Sequence, residues 1–194
     1  MKILALDQSS TATAYSIMKD GKLIDYGLIK PKSSKRATEV EIKEEPHLIT
    51  ITMPEAEFDT TLLRISYICD MIKKLIKKIK PNRVAFEEIY VAPSFNPVTK
   101  RMDYSRVNIS GFRSLGRLQG QLSRILWELE IPYDIILETT WITAFGTYGK
   151  NSKREERKAD VMAKVNKMYG LDITVDDISD AIGIAYYVSQ SQID

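Results

Sequence analysis

Asp7 closes an apolar run, KILAL, and is followed at once by the hydroxyl residues Ser9, Ser10 and Thr11. Glu87 and Glu88 stand in the same setting, at the end of a second apolar run that begins RVAF. A third acidic pair, Asp177 and Asp180, lies in DDISDAIGIAYY; at a spacing of three they share one helix face, about 5–6 Å apart. Each has an ordinary explanation alone. Asp ends strands by hydrogen-bonding its own backbone, and acidic residues suit the positive end of a helix. Brought together they behave differently, because two like charges about 4 Å apart repel by roughly 4 kcal/mol at an effective dielectric near 20. Several carboxylates at one sheet edge therefore need a proton or a cation among them. His47 is the sole histidine and Cys69 the sole cysteine, which excludes His-dependent triads and His- or Cys-ligated zinc sites. Carboxylate oxygens without those ligands select Mg²⁺ or Mn²⁺. Spacing leaves Glu87 and Glu88 as alternatives for the middle position.

The elements that must carry these residues are legible in outline. Strands are expected over Lys2 to Leu6, Thr13 to Met18 and Lys22 to Ile29, and Asp20-Gly21 between the last two is a hairpin signal. Residues 31–60, punctuated by Pro31, Pro46 and Pro54, read as a surface insertion whose alternating TEVEIKEE and HLITITM suggest a small hairpin. Apolar residues at 65, 68, 72, 75, 76 and 79 predict an amphipathic helix over roughly Thr60 to Lys80, with Cys69 on its buried stripe and Lys73, Lys74, Lys77 and Lys78 facing solvent. RVAFEEIYV is a fourth strand, and APSFNPVTKRMDYS a proline-marked loop. A helix from about Asn108 to Leu129 carries Gly116 and Gly120, which would permit a close approach by another element. YDIILE is a fifth strand, Thr139 to Phe145 a short helix, and KREERKADVMAKVNKMYG a helix stopped by Gly170. The last helix begins near Val175. This order predicts an α/β layered domain with a mixed sheet, in which the first and fourth strands are central and ligands gather beyond the strand ends.

Composition limits the rest. The chain has 194 residues, 44% hydrophobic and 28% charged, enough for one domain with a real core. No apolar run approaches the roughly 20 residues of a membrane span, and MKILALDQ lacks the features of a secretory signal, so the expected location is cytoplasmic. The net charge of +2 argues little by itself, but the charges are uneven. Between Ser94 and Arg124 lie Lys100, Arg101, Arg106, Arg113, Arg117 and Arg124 against one acid, Asp103, and a second basic stretch, KNSKREERK, runs from Lys150 to Lys158.

LDQSSTATAYSI, VAFEEIY and DDISDAIGIAYY, in this order and on these elements, resemble the RuvC-type Holliday junction resolvases of the RNase H-like superfamily, with the 31–60 insertion most like a bacteriophage member. The resemblance implies an RNase H-like fold: a five-stranded mixed sheet, its first three strands antiparallel, flanked by helices, in one nuclease domain over 1–194. It implies four catalytic, metal-holding carboxylates, Asp7, Glu87, Asp177 and Asp180, and two Mg²⁺ ions per site, replaceable by Mn²⁺. Glu87 is preferred to Glu88 on the family pattern alone, and Asp176 falls outside the ligand set. KADVMAKV matches the segment whose lysine, here Lys158, approaches the scissile phosphate. Tyr90 matches the aromatic position that enters the junction centre, and Phe95 is a further stacking candidate. Lys100, Arg101, Arg113, Arg117, Lys150, Lys153 and Arg154 are expected on the DNA backbone, which positions DNA without reading sequence. The implied activity is a Mg²⁺-dependent endonuclease making paired symmetric nicks in four-way and other branched DNA, leaving 5′-phosphates, as a homodimer. An RNA-processing nuclease of the same superfamily and a non-catalytic junction-binding protein are the alternatives. DQSSTATAYSI also resembles the first phosphate loop of sugar kinases and actin-like ATPases, which need a second such domain that this length does not provide.

Overall fold

A computed structural model of the chain describes residues 1–30, 44–45, 48–52, 58, 60–90, 94–96, 101–103, 108–146 and 153–191. The elements are β1 (Lys2–Asp7), β2 (Thr13–Lys19), β3 (Lys22–Lys30), β4 (Glu44–Glu45), β5 (Leu48–Thr52), α1 (Thr61–Ile79), β6 (Arg83–Glu87), β7 (Ser94–Asn96), β8 (Arg101–Asp103), α2 (Ile109–Glu128), β9 (Tyr133–Ile136), α3 (Glu138–Phe145), α4 (Arg154–Tyr169) and α5 (Asp176–Gln190).

The main sheet runs β4-β5-β3-β2-β1-β6-β9. Its five expected strands are contiguous: β1, β2 and β3 are antiparallel neighbours, and β6 and β9 continue from β1 in parallel. Asp20 and Gly21 both have positive φ, 50° and 77°, the conformation a two-residue type I′ hairpin turn requires. The small hairpin expected within 31–60 is present as β4 and β5, and it extends the sheet because β5 pairs with β3 in parallel. Most of that insertion lies outside the described residues. One expected loop differs: the stretch after Glu88 contains a second, two-stranded ladder, with β7 antiparallel to β8 and Phe95 opposite Met102.

Period-two alternation along β1 divides the core. Leu4 and Leu6 join Tyr15, Ile17 and Phe86 beneath α1 and α2, where Ile65, Ile68, Cys69 and Ile72 supply the buried stripe. Ile3 and Ala5 face the other way, with Ala14, Met18 and Ala85, beneath α3, α4 and α5. Small residues on that side let α5 lie close to the sheet, and the Ser16 hydroxyl donates to the Ala181 carbonyl at 2.7 Å. Gly116 and Gly120 do not serve the close approach expected of them. Added Cβ atoms there would meet nothing within 4 Å among the described residues, and both glycines border a groove of about 600 Å³ between α1 and α2. Among the described residues no helix is long and apolar enough to cross a membrane.

Candidate active site

The sheet brings the first two carboxylates together. β1 and β6 are parallel with Leu6 opposite Phe86, so Asp7 and Glu87, one residue further along each, end side by side. The hydroxyl residues after Asp7 fasten the turn that follows: the Thr13 Oγ1 donates to the Ser9 carbonyl at 3.0 Å, and the Ser9 Oγ accepts from the Thr11 amide at 3.3 Å. Gln8 ties the strand ends together by donating its Nε2 to the Glu87 carbonyl at 2.9 Å. Its Oε1 is buried without a hydrogen-bond partner among the described residues.

The structure also separates Glu87 from Glu88. Glu87 closes β6 and is half-buried, its Oε1 accepting a 2.6 Å hydrogen bond from the indole Nε1 of buried Trp141. Glu88 is exposed, and its Oε1 accepts from the neighbouring Ile89 amide at 3.2 Å. The site therefore has one inward glutamate.

Helix α5 supplies the other wall. Asp180 is 8% exposed, immediately before the small residues that press on the sheet. Lys158, from α4, binds the acidic face of α5: its Nζ lies 2.6 Å from Asp176 and 3.7 Å from each of Asp177 and Asp180. One ammonium touching both Asp177 and Asp180 places them on a common face, as their spacing predicts. Asp176, expected outside the ligand set, is the residue that holds Lys158 most closely.

Electrostatics follow from this crowding. Burial, then the charges of Glu87, Asp180 and Asp177, hold the Asp7 carboxyl well above the ordinary carboxylate range. Burial pushes Glu87 up to about 7, with the Trp141 hydrogen bond pulling against it and Lys158 and Arg154 acting in the same direction as Trp141. Burial likewise takes Asp180 to about 7, opposed by Lys158 and reinforced by Glu87, Asp176 and Asp177. Burial alone would lower Lys158, but its hydrogen bond to Asp176 and the charges of Asp180, Asp176 and Asp177 outweigh that and raise it. The Lys158 hydrogen bond holds Asp176 below its ordinary value.

The donors fit a hard divalent cation. Among the described residues carboxylate oxygens are the strong ligands here, and Gln8, next to Asp7, adds a buried oxygen without a hydrogen-bond partner there. As they stand, no three such side chains among the described residues close around one point, and three acids are gathered on the Lys158 ammonium. A positive charge at this position is what the cluster already uses.

Of the residues expected on DNA, Arg154 is near enough for its charge to act on Glu87. Exposed Lys153 precedes it at the start of α4. Tyr90 is 72% exposed, three residues past Glu87. Arg113 and Arg117 are exposed on α2, with Arg117 lining the groove between α1 and α2, and the cation paired with the acidic cluster among the described residues is Lys158. Arg101 falls within β8, while Lys100 and Lys150 lie outside the described residues. Trp141 was not legible as a site residue. Its position in a short helix gives no hint that it reaches β6.

No protein-family model matches the sequence, and no curated protein matches it. Solved structures do. The chain is similar to Thermus thermophilus RuvC in complex with Holliday junction substrate, at 14% identity and a TM-score of 0.61, over 100% of this chain and 96% of that one. A second T. thermophilus RuvC structure gives 14% and 0.59 over 99% and 98% of the two chains. The yeast mitochondrial Holliday junction resolvase Ydc2 gives 14% and 0.51 over 98% of this chain and 79% of that one. The fold is thus RNase H-like. Within that class it is the arrangement seen in RuvC.

Proposed function

We propose that the protein is a metal-dependent endonuclease that resolves four-way and related branched DNA junctions. The observation that carries this reading is the convergence of acids from three separate elements, Asp7 on β1, Glu87 on β6 and Asp177 with Asp180 on α5, around a site that already holds the Lys158 ammonium. The likeness to two junction resolvases in fold supports the choice of substrate.

In this reading Asp7, Glu87, Asp177 and Asp180 hold two Mg²⁺ ions, with Mn²⁺ as a substitute. Bound there, the ions supply activation of a water for in-line attack and stabilisation of the leaving 3′-oxygen, which gives 5′-phosphate ends. Lys158 contributes a positive charge. With the acids engaged by a cation, Lys158 would be released to pair with a scissile phosphate. Asp176 keeps the lysine beside the site throughout. Arg154 and Lys153, at the start of α4, meet the flanking phosphates, and exposed Tyr90 stacks on bases opened at the branch point. Paired nicks on strands related by a two-fold axis call for two such sites, hence a homodimer.

The test is strand-resolved cleavage of a labelled four-way junction beside a linear duplex of the same sequence, with Mg²⁺, with Mn²⁺ and with chelator. Symmetric nicks on the junction alone, lost in chelator, are expected. Tight junction binding without cleavage would instead favour a binding protein, and cleavage confined to RNA an RNA-processing nuclease.

A further inference from the structure

Trp141 is the largest fully buried side chain and is 1% exposed, yet it carries a polar N–H that must find an acceptor. That acceptor is a carboxylate of the site itself, Glu87 Oε1 at 2.6 Å. The other side of the ring lies on α5 at Gly183, three residues after Asp180. A Cβ at Gly183 would stand 2.6 Å from Cζ3 and 3.0 Å from Cε3 of the indole, so only glycine lets the ring sit there. One rigid plane therefore links the carboxylate on β6 to the helix that bears Asp177 and Asp180. Indole is a donor only, and with one oxygen of Glu87 engaged the other is left for a cation.

We propose that Trp141 is a positioning residue for Glu87, fixing the orientation in which its other carboxylate oxygen binds a divalent cation, with Gly183 as the clearance that makes this possible. The inference rests on the reading of Glu87 as a metal ligand, and it adds a consequence: the indole senses occupancy of the site. The chain has two tryptophans, and the other, Trp127, is 68% exposed on α2. A Trp127→Phe protein thus reports on Trp141 alone.

Titration of that protein with Mg²⁺ at pH 8, without DNA, is expected to give a saturable change in tryptophan emission that Glu87→Gln abolishes. In the wild-type background Trp141→Phe keeps an aromatic ring in the pocket, smaller than the indole, and loses the N–H. It should fold and bind junction DNA normally, but need about 10- to 100-fold more Mg²⁺ for half-maximal cleavage. A flat emission titration would overturn the inference, as would a Trp141→Phe protein with the wild-type Mg²⁺ requirement. The two readings fail separately. A Glu87-dependent emission change in a protein that cuts no DNA would support the role of Trp141 and refute the nuclease; junction cleavage with a flat titration would do the reverse.

Discussion

The acidic residues of the site do not contribute equally to stability and to chemistry. Asp180 is the most enclosed of the α5 pair, and its neighbours Glu87, Asp176 and Asp177 all oppose its ionisation. Asp180→Asn removes that repulsion at nearly constant shape, so the metal-free protein is expected to melt a few degrees higher while junction cleavage is abolished and junction binding is kept. A fall in melting temperature would instead assign Asp180 a structural role in pairing with Lys158. The lysine is tested by Lys158→Ala. Loss of one charge that stabilises a phosphoryl transition state costs about 100-fold or more in rate, and the salt dependence of DNA binding should flatten slightly. An unchanged rate would return Lys158 to a purely structural counter-charge for α5. Asp176→Asn, which frees the lysine without removing it, should slow cleavage less than Lys158→Ala does.

At the scale of elements, α5 shows how tightly the site depends on packing. Gly183→Ala would add helix propensity worth up to about 1 kcal/mol, but it drives a methyl into the Trp141 ring, and overpacking of this kind costs about 1–3 kcal/mol. Strain should win, because the ring is hydrogen-bonded at Glu87 and enclosed by core on the other side. The expected result is a melting temperature lowered by several degrees; a rise would mean that the ring can yield. The same helix illustrates what the sequence revealed. Its acid spacing and its small apolar surface, AIGIA, are local patterns, and both are realised. Asp7 and Glu87 were legible because each ends an apolar strand and parallel neighbours bring such ends together. Glu87 against Glu88 was not decidable from spacing, since adjacent residues on a strand end face opposite ways and the pattern does not say which way is in. The contact from Trp141 to Glu87 spans 54 residues and joins two elements. No local signal encodes such a pair. Gly116 and Gly120 misled for the same reason: a glycine permits close approach, but only tertiary structure decides whether anything approaches.

For the molecule as a whole, the acidic site makes stability a function of pH and, on the proposed function, of metal as well. The folded-state pKa values of Asp7, Glu87 and Asp180 are all raised, the last two to about 7. Between the ordinary carboxylate range and pH 7 the folded chain therefore binds more protons than the unfolded one, and stability falls as pH rises. The contribution is complete below about pH 4 and is lost through about pH 7. Other shifted groups among the described residues do not titrate in this window: Asp176 is lowered and already ionised, Lys158 is raised and stays charged, and Tyr15 and Cys69 shift upward into the alkaline range. In chelator, the melting temperature should thus decline from pH 5 to pH 8. On the proposed function Mg²⁺ binds the ionised form of the site, so it should reverse the decline. At about 100 times its dissociation constant a ligand adds about 2.7 kcal/mol, which for a chain of this size is roughly 5–10 °C. At pH 5, where protons hold the acids, the same Mg²⁺ should add far less. Thermal melts at the two pH values, with and without Mg²⁺, measure all four corners of this linkage. Equal stabilisation by Mg²⁺ at pH 5 and pH 8 would mean that the ion binds elsewhere, and that the buried acids are held together by protons and Lys158 alone.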